Sequence, residues 1–370
     1  MRISAFTINS FSGIPLCTIL FENIFSNYNN GIISIYHCQV GGYVKYQNSV
    51  KQIPLLKFQN NLKFSQQNKL LKVKKYLKLA CKIFAYIIQN RNPVLYTIDA
   101  NTCALIIFLR KIVFFRDVKL IYHQFEMDIP EHKSSLDKLS FRYLSNKGGM
   151  INLFIVPEIN RLNYFTERVN IPKDNCLLFP NTTYLHKCKK NETGIITFGH
   201  IGALGDTHFF KEFLNIFSKL QFPSELLLIG RVSENIKEMI RPYKNIILID
   251  QVEHAELGKY YHKINYGLIL YKPIDLNNEF CAPNKLYEFW SYGIPVISHN
   301  LEGLKSLFEK NILGSLCDMY SEFDLGYTIN RLIKENTTQR KNEIQKYFDE
   351  KLSISKYFDE LDDKLKFINE

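Results

Sequence analysis

Short apolar runs alternate along the chain with longer stretches of helical period. In the first half the apolar runs fall at 2–8, 32–38, 94–98, 118–122, 153–157 and 176–179. In the second half they fall at 195–198, 225–229, 245–249, 267–270 and 295–298. Several are β-branched or aromatic and end in turn-forming or polar residues, as strands do. Between them, segments such as 209–220 and 255–262 repeat their apolar positions at helical spacing. This alternation predicts an α/β chain of parallel sheets with crossover helices. Polar and charged residues without periodicity fill 181–193, which marks a join. The expected organisation is therefore one doubly wound domain over 1–185 and a second over 186–345. A charged, glycine-free helix over 346–370 would pack back on the first. In such folds two domains face a cleft, and ligands sit at the carboxyl ends of the strands.

Composition narrows the partners. The 370 residues are 46% hydrophobic, enough to build cores and to exclude wholesale disorder. Forty-seven Lys and Arg against 36 Asp and Glu leave a charge of +11, which suits anionic partners. The apolar stretches 79–88 and 104–115 are broken by Lys82 and by Arg110 and Lys111, so neither reads as a membrane span. The N-terminus reads as a strand and fits a signal peptide poorly. The segment 69–79 is basic and amphipathic. It is either a crossover helix with its lysines in water or a helix lying on an anionic membrane surface. The eight cysteines show no CxxC and no zinc-ligand spacing, so they are expected to be buried thiols in a reducing cytoplasm, with no metal site. No basic stripe with stacking aromatics is evident, so nucleic acid is not an expected partner.

Candidate chemistry gathers in the second half. In 282–298, Pro283 can open a helix whose free first-turn amides face an anion, and Lys285 adds a full charge there. Glu288 shares its helix face, Gly293 ends the helix, and the chain returns as a strand. A cation beside a carboxylate at a helix start suits a nucleotide: phosphate for the first, ribose hydroxyls for the second. An exposed i,i+3 ion pair of ~0.2–0.5 kcal/mol is the competing reading. A glycine-rich turn follows a strand at 198–206, with Gly199, His200, Gly202 and Gly205. Its spacing matches neither a dinucleotide fingerprint nor a P-loop. Arg231 follows Gly230 at a strand end and offers a fork of donors to phosphate. In the first half His123 and Glu126 lie just past a strand, and Gly13 follows the first strand.

Together these stretches resemble GT-B glycosyltransferases, most closely family 4 (glycosyl transferases group 1). The resemblance runs in register over roughly 190–320, on the Gly turn, Leu228-Ile229-Gly230, 245–249, 267–273, and Asn284-Lys285-Leu286-Tyr287-Glu288 leading into Gly293-Ile294-Pro295-Val296-Ile297. It is looser over 118–182 and only a pattern before that. It implies two Rossmann-like domains facing a cleft, with the last helix crossing back. It also implies a donor site: Glu288 on the ribose, Lys285 and Arg231 on the diphosphate, Gly199, His200 and Gly202 at the phosphate, and Gln251 and Val252 at the base. Asn284 and Leu286 complete that donor-binding set. Glu279 and His123 would be the catalytic groups at the sugar, and Gly13 and Glu126 would face the acceptor. Three departures stand out. Eight places before Glu288 is Phe280, so Glu279 is one position off the family's first Glu. His200 replaces an Arg, and a Lys expected a few residues on is missing.

The activity so implied is retaining, metal-independent transfer of a sugar from a UDP- or GDP-linked donor to a glycan or lipid-linked acceptor. It needs no cofactor, and it would serve cell-surface polysaccharide synthesis in the cytoplasm, peripherally at the inner face of the membrane. Competing readings are a GT-B UDP-sugar 2-epimerase, a basic nucleic-acid-binding protein, and an inactive scaffold.

Overall fold

The computed structural model describes residues 2–9, 11, 14–38, 46, 48–55, 69–127, 135–187, 194–309, 311–335 and 338–369. The chain forms two compact units: Met1–Pro180 with Tyr357–Glu370, and Asn181–Lys356. Residues 181–185, expected with the first domain, belong to the second unit. So do 346–356, expected in the returning helix. Only the last 14 positions of the sequence join the first unit. There the Tyr28 hydroxyl donates to Asp362, and the rings of Phe179 and Tyr357 meet at 5.7 Å.

The first unit contains β1 (Arg2–Thr7), β2 (Ile33–His37), β3 (Val50–Pro54), β4 (Pro93–Thr97), β5 (Lys119–His123), β6 (Leu153–Val156) and β7 (Cys176–Leu178). They lie in the order β3-β2-β1-β4-β5-β6-β7. The second contains β8 (Ile196–Ile201), β9 (Ser224–Ile229), β10 (Ile246–Ile249), β11 (Tyr266–Ile269), β12 (Val296–His299) and β13 (Gly314–Cys317). Their order is β10-β9-β8-β11-β12-β13. The described pairings are parallel throughout. Each sheet starts in its middle, runs to one edge, returns beside its first strand and runs to the other. The reversal falls between β1 and β4, and between β8 and β11. At such a point the two following loops part and leave a crevice at the strand ends.

Two strands escape the apolar-run reading. β3 is Val-Lys-Gln-Ile-Pro at a sheet edge, none of it fully buried. β13 is Gly-Ser-Leu-Cys, too short and polar to register as an apolar run. The second sheet is buried on both faces. Leu226 and Leu228 pack in one cluster with Phe198, Phe213 and Ile329. Leu227 and Ile229 pack in another with Phe289, Trp290 and Phe348. Each such side chain contributes ~1.5–3 kcal/mol. Exposed pairs such as Lys219–Glu322 contribute ~0–1 kcal/mol, so burial holds this unit together.

Helix Lys69–Gln89 departs from a simple lysine-out pattern. Leu79, Ile83 and Ile87 are buried, but so is Lys75. Leu70, Val73, Leu77 and Phe84 stand exposed beside Lys74 and Lys78. Among the described residues no helix is long and apolar enough to cross a membrane.

Candidate functional site in the second unit

Helix Asn284–Ser291 positions the two charges singled out in the sequence. Pro283 sits at its N-cap, extended, one place earlier than a first-turn proline. From Lys285 to Ser291 every residue is buried. Gly293 closes the helix: its N–H bonds the Trp290 carbonyl and the Ile294 N–H bonds that of Phe289. The Trp290 indole N–H bonds the Leu313 carbonyl at 2.8 Å, so the largest core side chain is satisfied.

The exposed ion-pair reading of Lys285 and Glu288 fails. Both are buried, at 9% and 7% exposure, and no ion pair joins them. They are engaged separately. The Lys285 ammonium lies over the Tyr271 ring, 4.8 Å from its centroid. It also lies 3.7 Å from where a Cβ on Gly202 would stand. It has no ion-pair partner among the described residues. Burial pushes it down to about 7, against smaller upward pulls from Cys281 and Glu288. Glu288 faces elsewhere. His254 Nε2 is 2.7 Å from its Oε1, and the Tyr261 hydroxyl donates to its Oε2. Tyr261 is held by stacking on Tyr292 at 4.7 Å, which stacks in turn on His186 at 4.6 Å. Burial alone would raise the Glu288 carboxyl. The hydrogen bond and charge of His254, then the Tyr261 hydroxyl, outweigh it and hold the group below its ordinary value. The same bond lifts His254 above its own, against burial. Sequence reasoning missed His254 and Tyr261, which lie 34 and 27 residues from Glu288.

The glycines divide in role. Gly202 has φ +116° just past β8, and its N–H bonds the Ile229 carbonyl at 2.8 Å. A Cβ on Gly230 would fall 2.4 Å from the Gly202 carbonyl oxygen, so the two turns pack backbone to backbone. Gly202 is thus the turn that approaches Lys285. Gly199 does not fit its expected role. It lies inside β8, and a Cβ there would meet the Ile264 side chain at 2.3 Å. Its bareness serves packing against Ile264, a correction to the phosphate-approach reading.

The remaining candidates are scattered in their environments. His200 is 1% exposed, its Nε2 3.3 Å from the Ala203 carbonyl. Burial and then Lys285 push it well below its ordinary value, so it is neutral and brings no charge in place of an arginine. Arg231 is exposed and donates from Nε to Gln251 Oε1 at 2.8 Å, at the ends of β9 and β10. Val252 is half-buried against the core. Asn284 opens the helix with a buried Oδ1 that has no partner. Leu286 is fully buried in the core and its N–H bonds the Pro283 carbonyl. Its side chain is therefore structural, contrary to its place in the donor-binding set. Glu279 accepts from the Glu302 N–H at 3.2 Å, which ties it to the start of helix Glu302–Lys305.

In the first unit, His123 ends β5 and is fully buried. Its Nδ1 is 2.9 Å from the Tyr96 hydroxyl, and its ring stacks on Phe125 at 4.0 Å. Burial pushes it down to about 3, so it is neutral at pH 7. Glu126 is exposed. Gly13 lies outside the described residues. Among the described residues no cluster of three or more His, Cys, Asp or Glu could hold a metal ion.

The unit as built is a doubly wound α/β body with a glycine turn against a buried lysine, and known structures share the whole fold. No protein-family model matches the chain, and no curated protein matches its sequence. Among similar solved structures is Anabaena Alr3699/HepE in complex with UDP and glucose, at TM-score 0.71 and 12% identity over 99% of both chains. Another is the sucrose-phosphate synthase of Thermosynechococcus elongatus, at 0.71 and 14% over 99% of both. A third is a glycosyltransferase from Rickettsia africae, at 0.69 and 14% over 100% of this chain and 98% of that one. The fold is that of the GT-B glycosyltransferases, with two doubly wound, Rossmann-like units.

Two outcomes test this geometry. Gly199→Ala should lower stability by about 1–3 kcal/mol through overpacking. Combined with Ile264→Ala it should cost less than the sum of the single changes; simple additivity in urea denaturation would refute the packing role. The His254–Glu288 pair should also shape stability with pH. The His254 contribution is complete below 6.5 and fades as pH rises through its raised folded value. That of Glu288 is present above 4.5 and fades as pH falls through its lowered one. Solvent around the half-exposed His254 ring keeps its share to about 1 kcal/mol or less. Between pH 6 and 9 the wild type should therefore lose more thermal stability than His254→Gln. Parallel melting curves would remove the pair from the account.

Proposed function

We propose that the protein is a retaining, metal-independent glycosyltransferase that moves a sugar from a UDP- or GDP-linked donor to a glycan or lipid-linked acceptor in cell-surface polysaccharide synthesis. One observation carries the reading. Lys285 is a buried cation without a counter-ion among the described residues, set against the Gly202 turn beside the sheet reversal. A diphosphate supplies the missing charge. The HepE structure, which holds UDP and glucose on this fold, supports the same choice.

The residues divide the work. Lys285 takes the diphosphate, with Arg231 beside it on the surface. Glu288 accepts from the ribose hydroxyls, because a carboxylate has about four lone-pair sites and only two are used by His254 and Tyr261. Gln251 and Val252 face the base, and the partnerless Asn284 Oδ1 offers a further acceptor. Glu279 keeps acceptor capacity for sugar hydroxyls. No protein nucleophile is assigned. The bond from anomeric carbon to phosphate oxygen breaks, the acceptor oxygen bonds to that carbon on the same face, and its proton passes to the departing phosphate oxygen. Fixed donors that meet the developing phosphate charge are the largest catalytic contribution in such a reaction. His123, neutral and buried, acts as a hydrogen-bonding group and carries no charge.

The same reading places the enzyme peripherally on the inner face of the cytoplasmic membrane, where a lipid-linked acceptor resides. Support comes from helix Lys69–Gln89, which holds no acidic residue and exposes Leu70, Val73 and Leu77 beside Lys74 and Lys78. Such a face buries apolar side chains among acyl chains and sets cations at anionic headgroups.

Calorimetric titration with UDP and GDP tests the donor site. At least one should bind, and Lys285→Met should weaken it about 10–100-fold. The free lysine sits at about 7, and an anion raises it again. Binding at pH 8 should therefore take up a proton, and affinity should fall as pH rises above 7. Unchanged affinity in Lys285→Met, with no proton uptake by the wild type, would refute the assignment. Flotation tests the membrane contact: the protein should rise with phosphatidylglycerol vesicles at low salt and be released by salt. Failure to float there would restrict the acceptor to soluble glycans.

A further inference from the structure

We propose that His208 is a further diphosphate ligand in the donor site, presenting its Nε2–H to a phosphate oxygen beside Lys285. The proposal rests on the nucleotide-sugar reading of this site and adds a residue that neither the motif pattern nor the resemblance supplied.

The backbone places His208 over the sheet reversal. Phe209 N–H bonds the Leu270 carbonyl at 2.7 Å, and Lys272 N–H bonds the Thr207 carbonyl at 3.1 Å. These bonds bridge His208 to Tyr271 just past β11. Tyr271 is the ring that carries the Lys285 ammonium. The His208 ring packs 5.2 Å from Tyr271 and 5.7 Å from His200, at right angles to the latter. It is 9% exposed.

The hydrogen bonds fix its tautomer. The Gly205 N–H reaches His208 Nδ1 at 3.3 Å, and the Thr207 hydroxyl lies 3.2 Å from the same atom. A backbone N–H only donates, so Nδ1 is an acceptor and carries no proton. Burial, then the Lys285 charge, push the ring down to about 4, so it is neutral at pH 7. A neutral imidazole with a bare Nδ1 carries its proton on Nε2. That Nε2 is buried and has no partner. A buried donor left unmet is costly, and such an atom calls for an explanation in function.

The surroundings select the ligand. The His208 ring shares the Tyr271 ring with Lys285, packs against the neutral His200, and feels the charges of Lys285 and, less, of Lys272, whose ammonium is already paired with Glu212. The site thus joins a free cation and a free neutral donor at one glycine turn. An anion with several acceptor oxygens satisfies both together, and the phosphates of a nucleoside diphosphate do so at the strand ends where this fold takes ligands.

Calorimetry on the full chain with UDP, GDP, uridine and guanosine tests the assignment. His208→Leu should weaken the bound nucleoside diphosphate about 10-fold and leave the corresponding nucleoside unchanged. His208→Gln, whose amide N–H2 falls near Nε2, should recover most of the loss. Undiminished diphosphate affinity in His208→Leu, or equal losses for nucleoside and diphosphate, would overturn the proposal while the donor site stands. No diphosphate binding by the wild type would overturn both. A readout without substitution is nitrogen NMR of the histidine-labelled wild type. The His208 ring should be the neutral Nε2–H tautomer at pH 7, and its Nε2 signal should move on adding the diphosphate. An Nδ1–H tautomer, or a signal that stays put, would end the idea.

Discussion

A lysine held inside the protein with no counter-ion among the described residues is the constraint on which the second unit turns. Taking an ammonium out of water costs several kcal/mol unless a charge or hydrogen bonds replace the solvent. The nearest remedy in sequence is Glu288, three residues along the same helix. The structure spends that carboxylate elsewhere, on His254 and Tyr261. Lys285 is left with a ring face and a bare glycine turn. The fold tolerates this because the residues around it, Leu286, Phe289 and Trp290, are fully buried and supply the stability that the charge does not.

The sheet order explains why this tension sits where it does. β8 and β11 are neighbours in space, but their following segments leave in different directions. The segment after β8 turns at Gly202 against Gly230. It then crosses back at 207–209 to bond the segment after β11. Backbone amides, a histidine and a lysine therefore converge on one small region through main-chain bonds. The stacked rings of Tyr261, Tyr292 and His186 hold the hydroxyl that fixes Glu288. Lys285 and Glu288 thus have separate supports.

Much of the frame was legible in the chain. Every strand that is a run of apolar residues was readable, because a doubly covered parallel strand needs such a run. β3 and β13 were not, since an edge strand and a Gly-Ser strand carry no such signal. Lys285 and Glu288 stood out by spacing, but spacing alone also fits an exposed pair, and only burial separates the two. Gly199 looked like Gly202 in the sequence; the difference lies in Ile264, 65 positions away. Leu286 was placed in the site by the resemblance, although the residue next to Lys285 on a helix points to a different side. His208 carried no sequence signal at all. What singles it out is which nitrogen the Gly205 amide occupies.

Under the proposed reaction, the two donors at the turn would serve a leaving group in different ways. His208 is neutral by burial and stays so, giving a fixed N–H that costs no proton. Lys285, poised near 7, is partly charged already and becomes fully charged as negative charge arrives beside it. Before transfer begins, the phosphate nearest the sugar is a diester carrying one charge; as the bond to the anomeric carbon stretches, that oxygen becomes more negative. In the proposed reaction an ammonium and an N–H at the leaving oxygen would bind that developing charge more tightly than the ground state, which is the condition for lowering a barrier. A permanently paired lysine would bind both states alike. For the proposed reaction, the lack of a counter-ion for Lys285 among the described residues is what leaves its charge open to the phosphate.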